Sequence, residues 1–505
     1  LVGQVLMPFA YGSSATTVSA ASKAANQAYA GVDTPAQLVA KYRLGALILV
    51  GGSADDPTGS SQPTTNVDNP RQVRGLTDGL QQAAGGLSTA GAPLLIGADQ
   101  EYGVVVRVRQ ATALPSAMAF GAAGEPALTE AAWKTAGTEL AALGINVDFA
   151  PVADVLGPQG SAVIGSRSYG ADPQAAGGQV GAAVRGLRSA GVAAALKHFP
   201  GHGHTAANSH DELPVVSQDR AALTRDDLPP FAAGIAAGSQ LVMSGHLDVR
   251  AVDRGIPATF SRKVMTDLLR GQLKFTGVAV TDALNMAPAK RWPPGEAAVR
   301  ALNAGNDLLL MPPNLVTVRD GLLAGLREGK LPRARLVEAA TRVLTLRFTL
   351  ARPAGELSLV GAAQHAATVR RAATAAVTLL RGPCSGPLVA GPVTVTASGG
   401  REPARVALVR ALQAAKVPVV ASGGAVVHLV GYGDTRTDLR SDAAVTVAMD
   451  TPFLLGSATT KVLLATYSSS PLSMAGLADV LAGQVPAAGR SPVAVPGLPR
   501  SACRR

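Results

Sequence analysis

The segment VAAALKHFPGHGH, residues 192–204, decides the fold of this chain. Its first half is a short apolar run, typical of a strand that is buried on both faces. Its second half is polar and rich in glycine and histidine, which marks the end of the strand and the start of a loop. Similar apolar runs recur through the first 350 residues, and the strand candidates are 4–9, 46–50, 94–98, 146–150, 192–197, 241–244, 278–281 and 307–311.

Longer amphipathic stretches lie between these runs, and the helix candidates are 70–82, 126–143, 173–189, 225–237, 262–273, 295–304 and 316–327. Strands that alternate with helices are parallel, because each helix returns the chain to the same end of the sheet. Eight such units in about 350 residues favour a closed barrel over an open sheet. We therefore predict an α/β protein whose residues 1–351 form a (β/α)8 TIM-like barrel.

Residues 352–360 are rich in helix breakers, and we predict a linker over 352–362. A helical stretch at 364–376 follows, and further apolar runs lie at 387–390, 393–396, 418–421, 426–430, 444–449 and 462–466. Their spacing predicts that residues 363–505 form a smaller C-terminal α/β sandwich domain.

The composition excludes several classes of partner. Hydrophobic residues make up 47% of the 505 residues, but no apolar run reaches about 18 residues, so we expect no transmembrane segment. The net charge is +11, from scattered cations, and it fits either solubility or attraction to an anionic polymer or phosphate. Aromatic residues are only 4% and no nucleic-acid-binding motif is present, so we expect no nucleic-acid partner. The sequence predicts no oligomeric state.

Active sites of (β/α)8 barrels lie at the carboxyl ends of the strands. Ionisable side chains follow five neighbouring strands at these ends, and they are Asp99 and Glu101, Asp148 and Asp154, Lys197 and His198, His246, and Asp282. Arg107 and Arg167 lie in the loops beyond the third and fourth strands. We expect all of these groups to converge on one rim.

Histidine is concentrated in this region, since five of the seven histidines lie between residues 198 and 246. One interpretation is a zinc site built from His202, His204 and His210 with a carboxylate. The other is acid–base catalysis by one histidine, with the rest structuring a glycine-rich loop. The spacing of these histidines is uncommon among zinc ligands and the chain has no H-E-x-x-H helix, so we expect neither metal nor cofactor.

These motifs resemble the β-N-acetylglucosaminidases of glycoside hydrolase family 3, in the two-domain form of the NagZ-like group. The resemblance rests on KHFPGHG at 197–203 with Ser209, His210, Leu213 and Pro214, on DQE at 99–101 with Arg107, on RSYG at 167–170 and on TDALNM at 281–286. These segments occur in the family's order. The segments DTPF at 450–453 and GRSPV at 489–493, together with Tyr467, resemble the family's second domain less specifically.

The resemblance implies a retaining exo-β-N-acetylglucosaminidase that acts on peptidoglycan or chitin fragments. It implies that Asp282 is the nucleophile that forms a glycosyl-enzyme intermediate and that His210 is the acid/base. The positions that would hold the terminal sugar are Asp99, Arg107, Arg167, Lys197 and His198.

One departure concerns the partner of His210. The family usually has Asp-Ser-His, whereas this chain has Asn208-Ser209-His210. The amide oxygen of Asn208 can still accept a hydrogen bond from the imidazole and orient it. It cannot stabilise the imidazolium by charge, so we expect a lower pKa for His210 and a weaker acid step. A second departure is Tyr102, which replaces the usual glycine and is expected to narrow the pocket.

Two alternative functions remain open. A neutral histidine base would not repel phosphate, so the same intermediate would also serve a β-N-acetylglucosaminide phosphorylase with phosphate as acceptor. Alternatively, Asn208 has impaired catalysis and the protein binds wall glycan without turning it over.

The two cysteines, Cys384 and Cys503, both lie in the last quarter of the chain and outside any C-x-x-C pattern. We expect a disulfide that fastens the tail to its own domain. The chain shows no recognisable targeting segment. The expected disulfide and wall-glycan substrate nevertheless predict a secreted or cell-surface protein.

Overall fold

A ring of parallel strands forms the first part of this computed structural model, which describes residues 1–52, 55–86, 91–158, 160–350 and 355–503. Its strands are β1 (Leu6–Met7), β2 (Ala46–Ile48), β3 (Leu95–Ala98), β4 (Val147–Asp148), β5 (Ala193–Phe199), β6 (Val215–Val216), β7 (Leu241–Ser244), β8 (Asp248–Val249), β9 (Val278–Thr281) and β10 (Leu309–Leu310). Strands β6 and β8 pair with each other in the loops, outside the ring.

The ring closes through a set of backbone hydrogen bonds. β2, β3, β4, β5, β7 and β9 form one parallel sheet in that order, and β1 pairs with β10 in parallel. The N–H of Ile48 donates to the carbonyl of Pro8 at 3.0 Å, and that of Thr281 donates to the carbonyl of Leu308 at 3.0 Å. These bonds join both edges of the larger sheet to the β1–β10 pair, which confirms the predicted barrel.

Helices connect the strands around the outside of the ring: α1 (Ala20–Ala30), α2 (Pro35–Tyr42), α3 (Pro70–Gly85), α4 (Ala117–Ala123), α5 (Pro126–Ala142), α6 (Pro173–Ser189), α7 (Arg220–Ala222), α8 (Leu228–Ala236), α9 (Arg250–Asp253), α10 (Pro294–Ala304), α11 (Leu315–Arg327) and α12 (Arg333–Thr349). Their starts follow local rules. α6 begins with Pro173, and the Asp172 side chain accepts from the N–H groups of Gln174 and Ala175.

Some predicted elements differ from the structure. The stretch predicted as one helix over 225–237 is divided, because a π-helical segment, Leu223–Asp227, precedes α8. Pro229 and Pro230 occupy the first turn of α8, where their missing N–H groups have no partner to lose. The stretch predicted at 262–273 is also π-helical, over Lys263–Gln272.

The second domain has one sheet with the strand order β11 (Thr378–Arg381), β15 (Val462–Ala465), β14 (Val445–Ala448), β13 (Ala425–Val430) and β12 (Val393–Ala397). β11 is antiparallel to β15, and the other pairs are parallel. Helices α13 (Ala363–Ala376), α14 (Glu402–Ala414) and α15 (Pro471–Leu481) pack around this sheet. The predicted α/β sandwich is therefore confirmed.

Two of the apolar runs of this domain, 387–390 and 418–421, form no strand. Val419 makes only an isolated bridge to Val393, at the outer edge of β12. Cys384 and Cys503 are joined by a disulfide, as predicted, with their Cα atoms 5.5 Å apart.

Residues 351–354 of the predicted domain junction lie outside the described residues, and the boundaries 1–351, 352–362 and 363–505 stay a prediction.

The second domain packs against the barrel loops that follow β3 and β4. Buried apolar side chains from both domains form one cluster there, including Met118, Val152 and Ile164 from the barrel and Val430 and Tyr467 from the second domain. Backbone hydrogen bonds cross the same contact, from Arg490 to the carbonyl of Ala122 and from Ala171 to that of Pro492. Among the residues that the structure describes, none of the helices has the length and hydropathy needed to span a membrane.

Candidate active site

Four charged side chains from β3, β5 and the loop after β4 form a buried ion cluster at the carboxyl end of the barrel. Arg167 binds Glu101 with two hydrogen bonds, of 2.7 and 2.8 Å. Lys197 Nζ lies 2.7 Å from a carboxylate oxygen of Glu101 and 2.7 Å from one of Asp99. The Asp99 side chain is the most exposed of the four, at 16%. It is therefore the member of the cluster best able to meet a ligand.

Charge pairing decides the ionisation of this cluster. Burial alone would raise the pKa of Glu101, but the charges of Arg167 and Lys197 outweigh it and hold that pKa well below its usual value. Burial likewise opposes the charged form of Lys197, while Asp99 and Glu101 raise its pKa above the usual value. Glu101, Arg167 and Lys197 are therefore charged at neutral pH.

Asp154, in the loop after β4, fixes the histidine turn that follows β5. Its carboxylate lies 2.8 Å from Nδ1 of His198 and accepts the backbone N–H groups of His198 and His202, at 3.1 and 2.8 Å. Because the Asp154 carboxylate can only accept a hydrogen bond, Nδ1 of His198 carries a proton. Nε2 of His198 then faces Arg167, with Nη2 3.4 Å away. At Gly201, where φ is +132°, a Cβ atom would lie only 2.7 Å from Cβ of Asp227.

Asp282 directly follows β9 and is 8% exposed. Its N–H donates to the carbonyl of Ser244, and its Oδ1 accepts the N–H of Ala283 at 2.8 Å. Burial would raise the pKa of this carboxyl, but His246, His198 and His210 together lower it below its usual value. Asp282 is therefore an anion at neutral pH, as a nucleophile must be.

His210 lies on the loop between β5 and β6. Its Nδ1 is 2.8 Å from Oδ1 of Asn208, which also accepts the N–H of His210 at 3.0 Å. The amide nitrogen of Asn208 donates to Asp211 at 3.0 Å. Since the amide oxygen faces the ring, Nδ1 carries the proton and Nε2 keeps its lone pair.

The pKa of His210, like that of His202 on the same loop, lies well below the usual value. Burial lowers its pKa to about 4, Arg167 and His198 act in the same direction, and Asp282 and Asp211 oppose them. His210 is therefore neutral at pH 7.

The structure brings the loop of His210 and the end of β9 together. The N–H of Ala287 donates to the carbonyl of His210 at 3.4 Å, so the two loops are in backbone contact. The charges of Asp282 and His210 also shift each other's pKa. The two side chains, 72 positions apart in the sequence, thus flank one region of the rim.

Arg107 is placed differently from the other predicted sugar-binding residues. Its guanidinium is buried, with Nη1 2.6 Å from Asp56 and Nη2 2.9 Å from the Thr58 hydroxyl. These two bonds use two of the five N–H donors of the guanidinium, and the side chain is only 1% exposed. Asp56 follows β2 and also contributes to the raised pKa of Arg167.

The sequence analysis placed Glu101 and Asp154 on the rim without a specific role, and it did not name Asp56. The signal for Asp56 was present, because it lies just beyond β2, at the same end of the barrel as the other site residues. Asp148, at the end of β4, is fully buried, and burial raises its pKa well above the usual value. Burial therefore favours the protonated form of Asp148.

The histidines proposed as zinc ligands have separate partners. Nδ1 of His202 meets Thr205, that of His204 meets Asp227, and that of His210 meets Asn208. In the part of the chain that the structure describes, no group of three or more histidine, cysteine, aspartate or glutamate side chains is arranged to hold a metal ion.

A closed α/β barrel with an ionised aspartate, a neutral histidine and a buried ion cluster at its carboxyl rim has the groups that nucleophilic and acid–base catalysis require. Residues 17–346 match the model of the glycosyl hydrolase family 3 N terminal domain, about two thirds of the chain. The chain belongs to this family, and it is a glycoside hydrolase, as the sequence motifs predicted.

Relatives and solved structures narrow the class. The chain is 34% identical over 377 residues to beta-hexosaminidase A of Pseudoalteromonas piscicida, a match that covers 68% of this chain and 60% of that protein. It is 39% identical over 277 residues to a beta-hexosaminidase of Pseudomonas aeruginosa (strain LESB58), covering 54% and 80%. The structure of a glycoside hydrolase family 3 beta-N-acetylglucosaminidase from Paenibacillus sp. str. FPU-7 superimposes with a TM-score of 0.83 and 30% identity, covering 98% of each chain.

Proposed function

We propose that this protein is a retaining exo-β-N-acetylglucosaminidase that releases terminal N-acetylglucosamine from peptidoglycan or chitin fragments. The single observation that carries the proposal is the pairing of an ionised Asp282 with a neutral His210 across one region of the barrel rim. The hexosaminidase relatives support the acetamido sugar as substrate.

In the first step, a carboxylate oxygen of Asp282 attacks the anomeric carbon and the bond to the leaving oxygen breaks. The leaving oxygen takes a proton from Nε2 of His210, which must be protonated at that moment. In the second step, water attacks the same carbon, its proton passes to the lone pair on Nε2 and the Asp282 carboxylate is released. The lowered pKa of His210, about 4, favours the second step and weakens the first at neutral pH.

Around the terminal sugar, the ion cluster supplies the polar contacts. Asp99 accepts hydrogen bonds from sugar hydroxyls, since its side chain is the most exposed of the cluster. Arg107 and Arg167 donate their remaining N–H groups, while Lys197 holds Asp99 in place. His198 keeps its ring fixed by Asp154 and lies within electrostatic range of Asp282.

The direct test is product analysis with short N-acetylglucosamine oligomers and an aryl N-acetyl-β-glucosaminide. We expect release of N-acetylglucosamine from the non-reducing end with retention of the β configuration. NMR of the newly released sugar measures this configuration. A fast reaction on an aryl β-glucoside with none on the acetamido substrate would contradict the proposal. No turnover of either substrate would instead support glycan binding without catalysis.

A second candidate, phosphorolysis, is favoured by one observation. The neutral His210 carries no negative charge that would repel phosphate, and Arg167 and Lys197 lie in the same site. The same product analysis, with and without phosphate, distinguishes hydrolysis from phosphorolysis. Sugar 1-phosphate as the main product would show that the protein is a phosphorylase and not a hydrolase.

We also propose a secreted or cell-surface location. The disulfide between Cys384 and Cys503 supports it, because such bonds persist in oxidising compartments. Thiol labelling of the protein taken directly from its native cells, together with fractionation, tests this location. Free thiols in an intracellular fraction would contradict it.

A further inference from the structure

Two side chains of the second domain reach barrel loops at the two site arginines: the loop of Asp55 and Asp56, which binds Arg107, and the loop that carries Arg167. We propose that Arg401 and Asp450 are positioning residues that hold Arg107 and Arg167 in place, so that the second domain completes the sugar pocket. The proposal rests on the proposed function for the identity of that pocket.

Arg401 precedes α14 and is 8% exposed. Its Nη2 donates to the carbonyl of Tyr432, and Asp434 lies 3.7 Å away, so its own domain fixes the guanidinium. Its Nη1 crosses to the barrel and binds Asp55 at 2.7 Å. A guanidinium held on two sides in this way is a rigid support.

Asp55 is joined to Arg107 through a short, hydrogen-bonded segment. The next residue, Asp56, binds Nη1 of Arg107 at 2.6 Å. Its other oxygen accepts the N–H and the hydroxyl of Thr58, at 2.8 and 2.7 Å, and that hydroxyl also accepts from Arg107. Residues 55–58 therefore form a compact support between Arg401 and Arg107. A shift of Asp55 would move the support as a unit.

Asp450 follows β14 and supports the other arginine. Ser166, which immediately precedes Arg167, acts to lower the pKa of the Asp450 carboxyl, while burial raises it. At Gly165, where φ is +44°, an added Cβ would lie 3.5 Å from Cγ2 of Thr451 and 4.0 Å from Oδ2 of Asp450. The loop of Arg167 thus lies directly against the second domain.

These two contacts form one patch, which we call the interdomain patch: Asp55, Ser166, Arg401, Tyr432 and Asp450. Its charges interact across the domain contact, because Arg401 and Asp55 both affect the pKa of Asp450, and Arg167 affects that of Tyr432. Catalysis depends on placement, and a displacement of about 1 Å far from the chemistry can cost about 10²-fold in rate. The patch is therefore a site where the second domain acts on sugar binding.

The first test measures kinetics on an aryl N-acetyl-β-glucosaminide. We expect Arg401→Ala to lower kcat/KM about tenfold, chiefly by raising KM, because Arg107 contacts the bound sugar. Arg401→Lys should restore part of the loss, since a lysine can still bind Asp55. The matched control is Arg440→Ala, which removes an exposed ion pair with Asp442 in the same domain and should leave kcat/KM unchanged.

A double-mutant cycle separates positioning from a general structural role. If Arg401 acts through Arg107, the variant Arg401→Ala/Arg107→Ala should be scarcely slower than Arg107→Ala alone. Losses that multiply, so that the double variant is about tenfold slower than Arg107→Ala, would overturn the proposal. Asp55→Asn approaches the same contact from the barrel and serves if Arg401→Ala does not fold.

A measurement without substrate distinguishes a failure of the positioning role from a failure of the proposed function. Hydrogen exchange of residues 55–61 and 163–168 should speed up several-fold in Arg401→Ala and Asp450→Ala, respectively, and stay unchanged in Arg440→Ala. Unchanged exchange in both patch variants would overturn the positioning role. An inactive wild-type protein with the expected exchange pattern would instead overturn the proposed function alone.

Discussion

Two sides of the barrel rim are built in opposite ways. On the side of β3, β4 and β5, Glu101, Arg167 and Lys197 are buried and each charge meets an opposite charge within 2.8 Å. On the loop side, His210 is oriented by Asn208, and Asn208 by the exposed Asp211. In the proposed function, the first side holds the sugar, and the second side carries the acid/base on a loop that can move during the reaction.

The comparison depends on Asp282, which lies between the two sides. We predict that Asp282→Asn lowers kcat by at least about a thousandfold, because the amide cannot attack the anomeric carbon. The measurement is single-turnover kinetics on an activated aryl substrate. Asp320→Asn, at an exposed ion pair, is the control, and a near-wild-type rate in Asp282→Asn would end the assignment.

A substitution at Glu101 tests how much the buried ion cluster with Arg167 and Lys197 contributes to stability. We predict that Glu101→Gln costs about 3–5 kcal/mol in the free energy of unfolding, because it leaves Arg167 and Lys197 buried with too little negative charge. Urea unfolding measures the change. Glu130→Gln breaks an exposed pair with Arg185 and should cost less than about 1 kcal/mol, so equal costs would contradict the comparison.

The loop side can be tested by its dependence on the leaving group. We predict that His210→Ala slows substrates with poor leaving groups about 10²-fold more than activated aryl substrates, because only the former need a proton donor. Rates for a series of aryl N-acetyl-β-glucosaminides of rising leaving-group pKa give a slope. The same slope in the variant and the wild type would show that His210 is not the acid.

The smallest expected effect sharpens the comparison at Asn208. An aspartate there would stabilise the imidazolium, so Asn208→Asp should raise the pKa of His210 from about 4 by about one unit. Since the acid step needs the protonated ring, the fall in kcat/KM with rising pH should move up by the same amount. Asp211→Asn should move it slightly down, and an unchanged profile in both would exclude a charge effect.

The sequence predicted most of the barrel, because polar residues such as Asp99 and Asp282 directly follow buried strands, and helices such as α3 and α6 begin with a proline after a capping side chain. It predicted Asp282 and His210 through their motif. It missed the support at residues 55–58 because Asp56 belongs to no motif and its role appears only when the loops of β2 and β3 lie side by side. The apolar runs at 387–390 and 418–421 form no strand, since short apolar runs do not reveal which of them finds a pairing partner.

The disulfide of the second domain has a consequence for chain entropy. Cys384 and Cys503 are separated by 119 positions, and the closed segment contains β12, β13, β14 and β15. In the loop-entropy description, closing a segment of that length removes about 4–5 kcal/mol of freedom from the unfolded chain. The barrel has no such cross-link among its described residues. A reductant would therefore lower the stability of the smaller domain first, whereas the stability of the barrel rests on its core.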